Sequence, residues 1–240
     1  MSSKIGLNLT RNYSINFNVP KRTKKNIKFI IIHYTGMKNE SEALKKLCDS
    51  KSEVSSHYFI KNSGEILSLV PDLYQAWHAG KSNWKNFKSL NRYSIGIEIN
   101  NPGHEFGYKN FKSKQILSLK KLLKNLILKY KINTNYILGH SDIAPNRKKD
   151  PGEKFPWKEL AKNNLCNWHN LNEKSIKKFR KQILNFHQEN AFINNLFKIG
   201  YPRNIQKSVI KAFQRRFRQD LIDGKIDKEC FLISKNLLKT

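Results

Sequence analysis

A run of four apolar residues, Phe29-Ile30-Ile31-Ile32, ends abruptly in His33-Tyr34 and is broken by Thr35-Gly36. Its length and β-branched content predict a buried strand over 28–34. The surrounding sequence supplies the rest of a sheet. Strands are expected at 57–60 and 66–70, paired as a hairpin through Asn62-Ser63-Gly64. Two more are expected at 93–100 and 135–140. A helix is expected at 40–48, with Ala43, Leu44 and Leu47 on one side. A longer one is expected at 113–131, where Ile116, Leu119, Leu123, Leu126, Ile127 and Tyr130 make one stripe behind a Ser113 N-cap. An irregular loop rich in Pro, Asp and Lys should run from Ser141 to Pro156. Strands interleaved with helices define an α/β fold with a central mixed sheet flanked by helices.

After Trp168 the strand signals stop. From Glu173 the pattern is helical, interrupted at Gly200-Tyr201-Pro202 and at Asp223-Gly224. A boundary is therefore expected near residue 170, with an α/β domain over 1–172 and a small all-α domain over 173–240.

The chain has 240 residues, 38% hydrophobic and 11% aromatic, which suffices for a buried core and excludes wholesale disorder. No apolar run approaches the roughly 20 residues of a membrane-spanning helix. Lys and Arg total 46 against 18 Asp and Glu, a net charge of +28, so an anionic partner is expected. The surplus is carried mainly by Lys and spread over both regions. Base-specific readout tends to use Arg; Lys-dominated charge is compatible with nucleic acid and equally with weaker attraction to any polyanion, and a compositional bias toward Lys gives the same surplus. Nucleic acid is therefore a minor reading. Three widely spaced cysteines, Cys48, Cys166 and Cys230, support neither a disulfide framework nor a thiolate metal site. Residues 1–18 contain no apolar core of a signal peptide, so a cytoplasmic location is expected, with export by another route left open.

Three polar groups sit at predicted strand ends or in the loop after one: His33, His140 and Asp150. Two neutral imidazoles and a carboxylate suit a catalytic zinc ion that keeps one position open. On spacing alone such a trio is weak evidence, since a strand-end His is more often a satisfied core or surface group. Ile95, Ile97 and Ile99 share one strand face, so Glu98 leaves on the opposite one. Lys148 lies two residues before Asp150, on the same side of an extended segment.

The local sequences add to this. They are Phe29-Ile30-Ile31-Ile32-His33-Tyr34-Thr35-Gly36, Val54-Ser55-Ser56-His57-Tyr58, Ala76-Trp77-His78-Ala79-Gly80, Ser94-Ile95-Gly96-Ile97-Glu98 and Gly139-His140 through Lys148-Lys149-Asp150-Pro151-Gly152. In this order they resemble the zinc-dependent N-acetylmuramoyl-L-alanine amidase family (amidase_2), over residues 25–165. The resemblance implies the fold shared with peptidoglycan recognition proteins. It implies Zn²⁺ held by His33, His140 and Asp150, Glu98 as catalytic carboxylate and Lys148 as catalytic cation. The implied reaction is hydrolysis of the amide between N-acetylmuramic acid, or its 1,6-anhydro form, and L-alanine. Tyr34, His57, Trp77, His78 and Ala79 are expected to contact substrate or to pack beneath the site. Asp142 is expected to organise the loop, and His104, His169 and His187 to lie on the surface. A non-catalytic peptidoglycan-binding protein of the same fold is the competing reading, and the complete ligand trio argues against it.

In the C-terminal region Val209, Ile210, Phe213, Phe217 and Leu221 form a helical apolar stripe with Arg215, Arg216 and Arg218 around it. The Ala212–Phe217 segment and the Asp223-Gly224 turn resemble a small three-helix peptidoglycan-binding module. A helical cover over one face of the catalytic part is one alternative, and a basic nucleic-acid-binding helical module is another, although the helix and turn spacing does not match a helix-turn-helix.

Overall fold

In a computed structural model, residues 9–204 and 206–239 are described, with side chains from residue 12 onward. The start of the segment inspected for a signal peptide lies outside them. The strands, in chain order, are β1 (Leu9–Arg11), β2 (Phe17–Asn18), β3 (Phe29–Tyr34), β4 (Tyr58–Ile60), β5 (Ile66–Ser68), β6 (Gln75–Ala76), β7 (Asn83–Trp84), β8 (Phe87–Lys88), β9 (Ser94–Ile99) and β10 (Ile137–Gly139). The helices are α1 (Glu40–Cys48), α2 (Ser113–Tyr130), α3 (His140–Ile143), α4 (Trp157–Lys162), α5 (Glu173–Lys177), α6 (Phe186–Ile199), α7 (Lys207–Phe217) and α8 (Lys228–Leu237). Six strands form one mixed sheet in the order β1-β5-β4-β9-β3-β10, in which β4 and β5 are the antiparallel pair. The β2–β6 and β7–β8 pairs are separate two-stranded ribbons.

The sheet is covered on both faces, which is why β3 reads as an unbroken apolar run. On one face Ile30, Ile32, Ile95, Ile97 and Ile99 pack with Leu119, Leu123 and Leu126 of α2 and with Trp157 and Leu160 of α4. On the other face the cover comes in two parts. Ala43 and Leu47 of α1 pack on Phe59 and Leu67 at the β4–β5 side. Phe192, Leu196, Phe213 and Ile233 of the C-terminal helices pack with Phe29, Ile31 and Leu138 at the β3–β10 side. Register then locates what lies between. Leu67 pairs with Phe59, Phe59 with Glu98, and Glu98 with His33. Paired residues share a face, so Glu98 and His33 occupy the gap between the two covers.

Several boundaries differ from expectation. The α2 helix starts one residue earlier in its capping, because Lys112 is the extended N-cap and Ser113 is already helical. Lys112 donates its N–H to Gln115 Oε1, which replaces the expected hydroxyl cap. The last strand stops at Gly139. Asp142 Oδ2 accepts the Gly139 N–H at 2.8 Å, and the chain turns into α3 with His140 as its first residue. The helix α4 was not anticipated.

Arg215, Arg216 and Arg218, expected around the apolar stripe of this helix, are themselves buried. Arg216 and Arg218 pair with carboxylates, all of them buried except the half-buried Asp223. Arg216 meets Asp142, and Arg218 meets Asp227, Asp223 and Glu229. His169, read as a surface residue, is also buried. The three cysteines are free thiols. No described helix is long and apolar enough to cross a membrane.

Candidate active site

His33 is the last residue but one of β3, and His140 opens α3 directly after β10, the strand paired with β3. Asp150 is returned to them by the intervening loop. Ser141 N–H donates to the Asp150 carbonyl at 2.8 Å, and the N–H groups of Arg147 and Lys148 donate to the Ala144 carbonyl. As a result His33 Nδ1 lies 3.0 Å from His140 Nδ1 and 2.9 Å from Asp150 Oδ2, with His140 Nδ1 3.1 Å from the same oxygen. All three residues are buried.

The chemistry of these donors fits a cation. His140 Nε2 lies 3.1 Å from the Ala79 carbonyl, which can only accept, so Nε2 carries the proton and Nδ1 is a bare lone pair. Arg147 Nη2 lies near the same nitrogen, but its hydrogens go to the carbonyls of Ala79 and Lys81. Burial lowers His33 to a pKa of about 4, with His140 adding to the effect and Asp150 opposing it, so the ring is neutral. Burial alone would raise Asp150, but His140 and His33 outweigh it and hold the carboxyl well below the usual range. Two imidazoles and a carboxylate converging on one point form a ligand set suited to zinc. The three groups are the one cluster of this kind among the described residues.

Glu98 borders the trio from β9. Its Oε2 is shielded from solvent and has no hydrogen-bond partner among the described residues, while the rest of the side chain is partly open to the cleft. Burial and the nearby Asp150 raise its pKa well above the ordinary value, and Lys148 and Lys46 oppose that shift. Lys148 is half-buried and lines the same cleft of about 370 Å³.

The other expected residues divide. Tyr34, Trp77 and His78 line the cleft. Tyr34 Oη lies 2.9 Å from His104 Nδ1, and Trp77 Nε1 donates to Asn18 Oδ1 at 2.6 Å. His57 and Ala79 are fully buried and do not line it. His57 takes the Gly96 N–H on Nδ1 and donates from Nε2 to the Tyr74 carbonyl, so it braces β9 from below. Ala79 acts through its carbonyl on His140. Asp142 takes no part in the trio. It accepts from Gly139 N–H, Arg216 and Tyr201 Oη, so it organises the loop.

Sequence reading missed His104, which lines the cleft beside Glu153 and stacks on Tyr108. It also missed Lys46, Arg147, Ser94 and Gly96. Strand alternation puts Ser94 and Gly96 on the same face as Glu98, but it assigns them no role.

The fold and site together define an α/β protein with a buried His-His-Asp group that could hold a metal ion, two of its members standing at the ends of adjacent parallel strands. The chain belongs to the Amidase_2 family, N-acetylmuramoyl-L-alanine amidase, whose model matches residues 23–153. It is similar to the N-acetylmuramoyl-L-alanine amidase AmiD of Escherichia coli (strain K12), with 34% identity over 89% of this chain and 83% of that protein. The AmiD structure, in complex with anhydro-N-acetylmuramic acid-L-Ala-D-gamma-Glu-L-Lys, matches with a TM-score of 0.77 over 89% of each chain at 33% identity. AmpDh3 from Pseudomonas aeruginosa, in complex with anhydromuramic pentapeptide, matches at 0.77 and 29% identity over 92% of this chain and 95% of that one. The 1,6-anhydro-N-acetylmuramyl-L-alanine amidase AmpD of Salmonella typhimurium (strain SL1344) is 38% identical over 43% of this chain and 54% of its own length.

Proposed function

We propose that this protein is a zinc-dependent amidase that hydrolyses the bond between N-acetylmuramic acid, or its 1,6-anhydro form, and L-alanine in peptidoglycan or its fragments. The observation that carries the reading is the convergence of three buried donor atoms within about 3 Å of one another beside an unpartnered carboxylate oxygen. His33, His140 and Asp150 would hold the zinc. Zinc held there supplies Lewis acidity toward the carbonyl and makes water acidic near neutral pH.

The chain's own groups do the rest. Glu98, in its ionised form, takes a proton from the attacking water and returns it to the departing L-alanine nitrogen. Lys148 places its ammonium where negative charge develops on the carbonyl oxygen. Tyr34, Trp77 and His104 line the walls that hold the sugar and the stem peptide. In this reading every residue assigned to chemistry falls within 1–172, and 173–240 support wall binding. The charge surplus of the chain favours anionic wall material over a specific nucleic acid.

Anhydromuropeptide and intact sacculi are digested in parallel, with and without a chelator, and the products are weighed by mass spectrometry. The expected result is a free L-alanine amino terminus, lost with chelator and restored by zinc. Intact substrate in every arm, with stoichiometric zinc bound, would sink the amidase reading.

A further inference from the structure

We propose that His78 and Ser94 are positioning residues that fix the tautomer of the metal ligand His33. Proton accounting begins at a backbone carbonyl. The Leu90 carbonyl lies 2.6 Å from Ser94 Oγ and can only accept, so it takes the single hydroxyl proton. Ser94 Oγ then offers only lone pairs to His78 Nε2, 3.1 Å away, and that nitrogen must carry N–H. The other nitrogen of a neutral His78 is bare. It lies 3.0 Å from His33 Nε2 and accepts the proton there. The remaining nitrogen of His33 is Nδ1, the atom that faces Asp150 and His140, and it is left as a lone pair. In the opposite tautomer, a proton on His33 Nδ1 would point at Asp150 and occupy the place of the cation.

The relay has a built seat. His78 lies against the bare backbone of β9, where a Cβ added at Gly96 would stand 2.4 Å from His78 Cγ. That backbone is pinned in turn, because the Gly96 N–H donates to His57 Nδ1 at 2.9 Å. Ser94, Gly96 and Glu98 thus serve the site from one face of one strand. Ser94 orients, Gly96 makes room and Glu98 faces the trio.

The inference rests on His33, His140 and Asp150 being metal ligands, and not on which bond is cleaved. Partners that orient a metal-bound imidazole typically change affinity about 10–100-fold when removed. Two variants of the full chain separate an acceptor from a filled space. In His78→Asn the side-chain oxygen can still accept from His33 Nε2–H, whereas His78→Leu leaves nothing to accept it. Zinc affinity is read by competition with a chromophoric chelator. His78→Leu is expected to bind zinc about 10–100-fold more weakly, and His78→Asn to stay close to the parent. Parent-like affinity in His78→Leu, or an equal loss in both variants, overturns the relay.

A second measurement needs no variant. Long-range ¹H–¹⁵N correlations of the zinc-loaded parent should show both His33 and His78 protonated on Nε2 alone, and a proton on His78 Nδ1 overturns the proposal. If the tautomers and zinc affinity behave as expected but muropeptide is not cleaved, the amidase reading fails and the relay stands.

Discussion

Glu98 presents to the cleft a carboxylate oxygen that has no hydrogen-bond partner among the described residues. A shielded carboxylate oxygen with no donor is costly, and groups of this kind cluster at functional sites. Glu98→Gln keeps the shape and removes the proton acceptor. Turnover should fall by about 10²–10⁴-fold, while zinc stoichiometry, measured by atomic absorption, stays at parent level. Lys148→Ala should lower kcat by about 10²–10³-fold and leave zinc content unchanged. Steady-state kinetics on muropeptide check both, and parent-like turnover in either variant removes that residue from the mechanism. The alternation of Ile95, Ile97 and Ile99 places Glu98 on the opposite strand face, but its proposed role, like that of Lys148 among many lysines, is singled out only by family resemblance. The relay was not legible. The roles of Ser94 and Gly96 depend on a ring that arrives from residue 78, and no spacing rule reports which strand a loop crosses.

At the scale of elements, the helix α2 is fastened to the sheet by one carboxylate. Asp72, buried in the loop after β5, accepts from Tyr58 Oη at 2.6 Å, Tyr130 Oη at 2.5 Å and Lys129 Nζ at 2.7 Å. Burial would raise its pKa, but Lys129, Tyr130 and Tyr58 together bring it below the ordinary carboxylate value. The sign follows from the lowered folded value. The contribution is fully present above the unfolded pKa of about 3.9 and is lost as pH falls through the folded pKa. Asp72→Asn should therefore destabilise the protein near neutral pH by about 1.5–3 kcal/mol, the range for a hydrogen bond to a charged group. The gap between parent and variant should close as pH drops below that value. Urea unfolding at several pH values measures it, and a gap independent of pH would mean that shape rather than charge holds α2. Strand and helix identities were readable from periodicity, but their ends were not. The stop at Gly139 and the start of α3 come from Asp142, whose carboxylate competes for the backbone in a way that hydrophobic pattern does not record.

Across the whole molecule, the C-terminal helices and the segment that carries His140 are one packed unit. Arg216 of α7 reaches Asp142 Oδ2 at 2.7 Å and the Ile137 carbonyl at 2.9 Å, one end of the strand that delivers His140. Its guanidinium also lies 4.3 Å from the Trp157 ring centre, and Tyr201 Oη holds the other oxygen of Asp142. Removing one partner of a buried pair leaves an uncompensated charge and costs about 3–5 kcal/mol. Arg216→Met should therefore lower Tm by roughly 6–20 °C at about 2–4 °C per kcal/mol. Adding Asp142→Asn should recover part of that loss, because no buried charge then lacks a partner. Calorimetry on the two variants checks this, and an unchanged Tm in Arg216→Met would mean the pair is energetically idle. The shared core makes a stronger demand. Phe29, Ile31 and Leu138 of the sheet lie in one cluster with Phe192, Leu196, Phe213 and Ile233. A chain ending at residue 172 would bare that apolar face, and large exposed apolar patches drive association. It should aggregate on expression although it keeps His33, Glu98, His140, Lys148 and Asp150. A soluble 1–172 fragment with cooperative unfolding would show instead that the catalytic part closes its own core and that the helices only rest upon it.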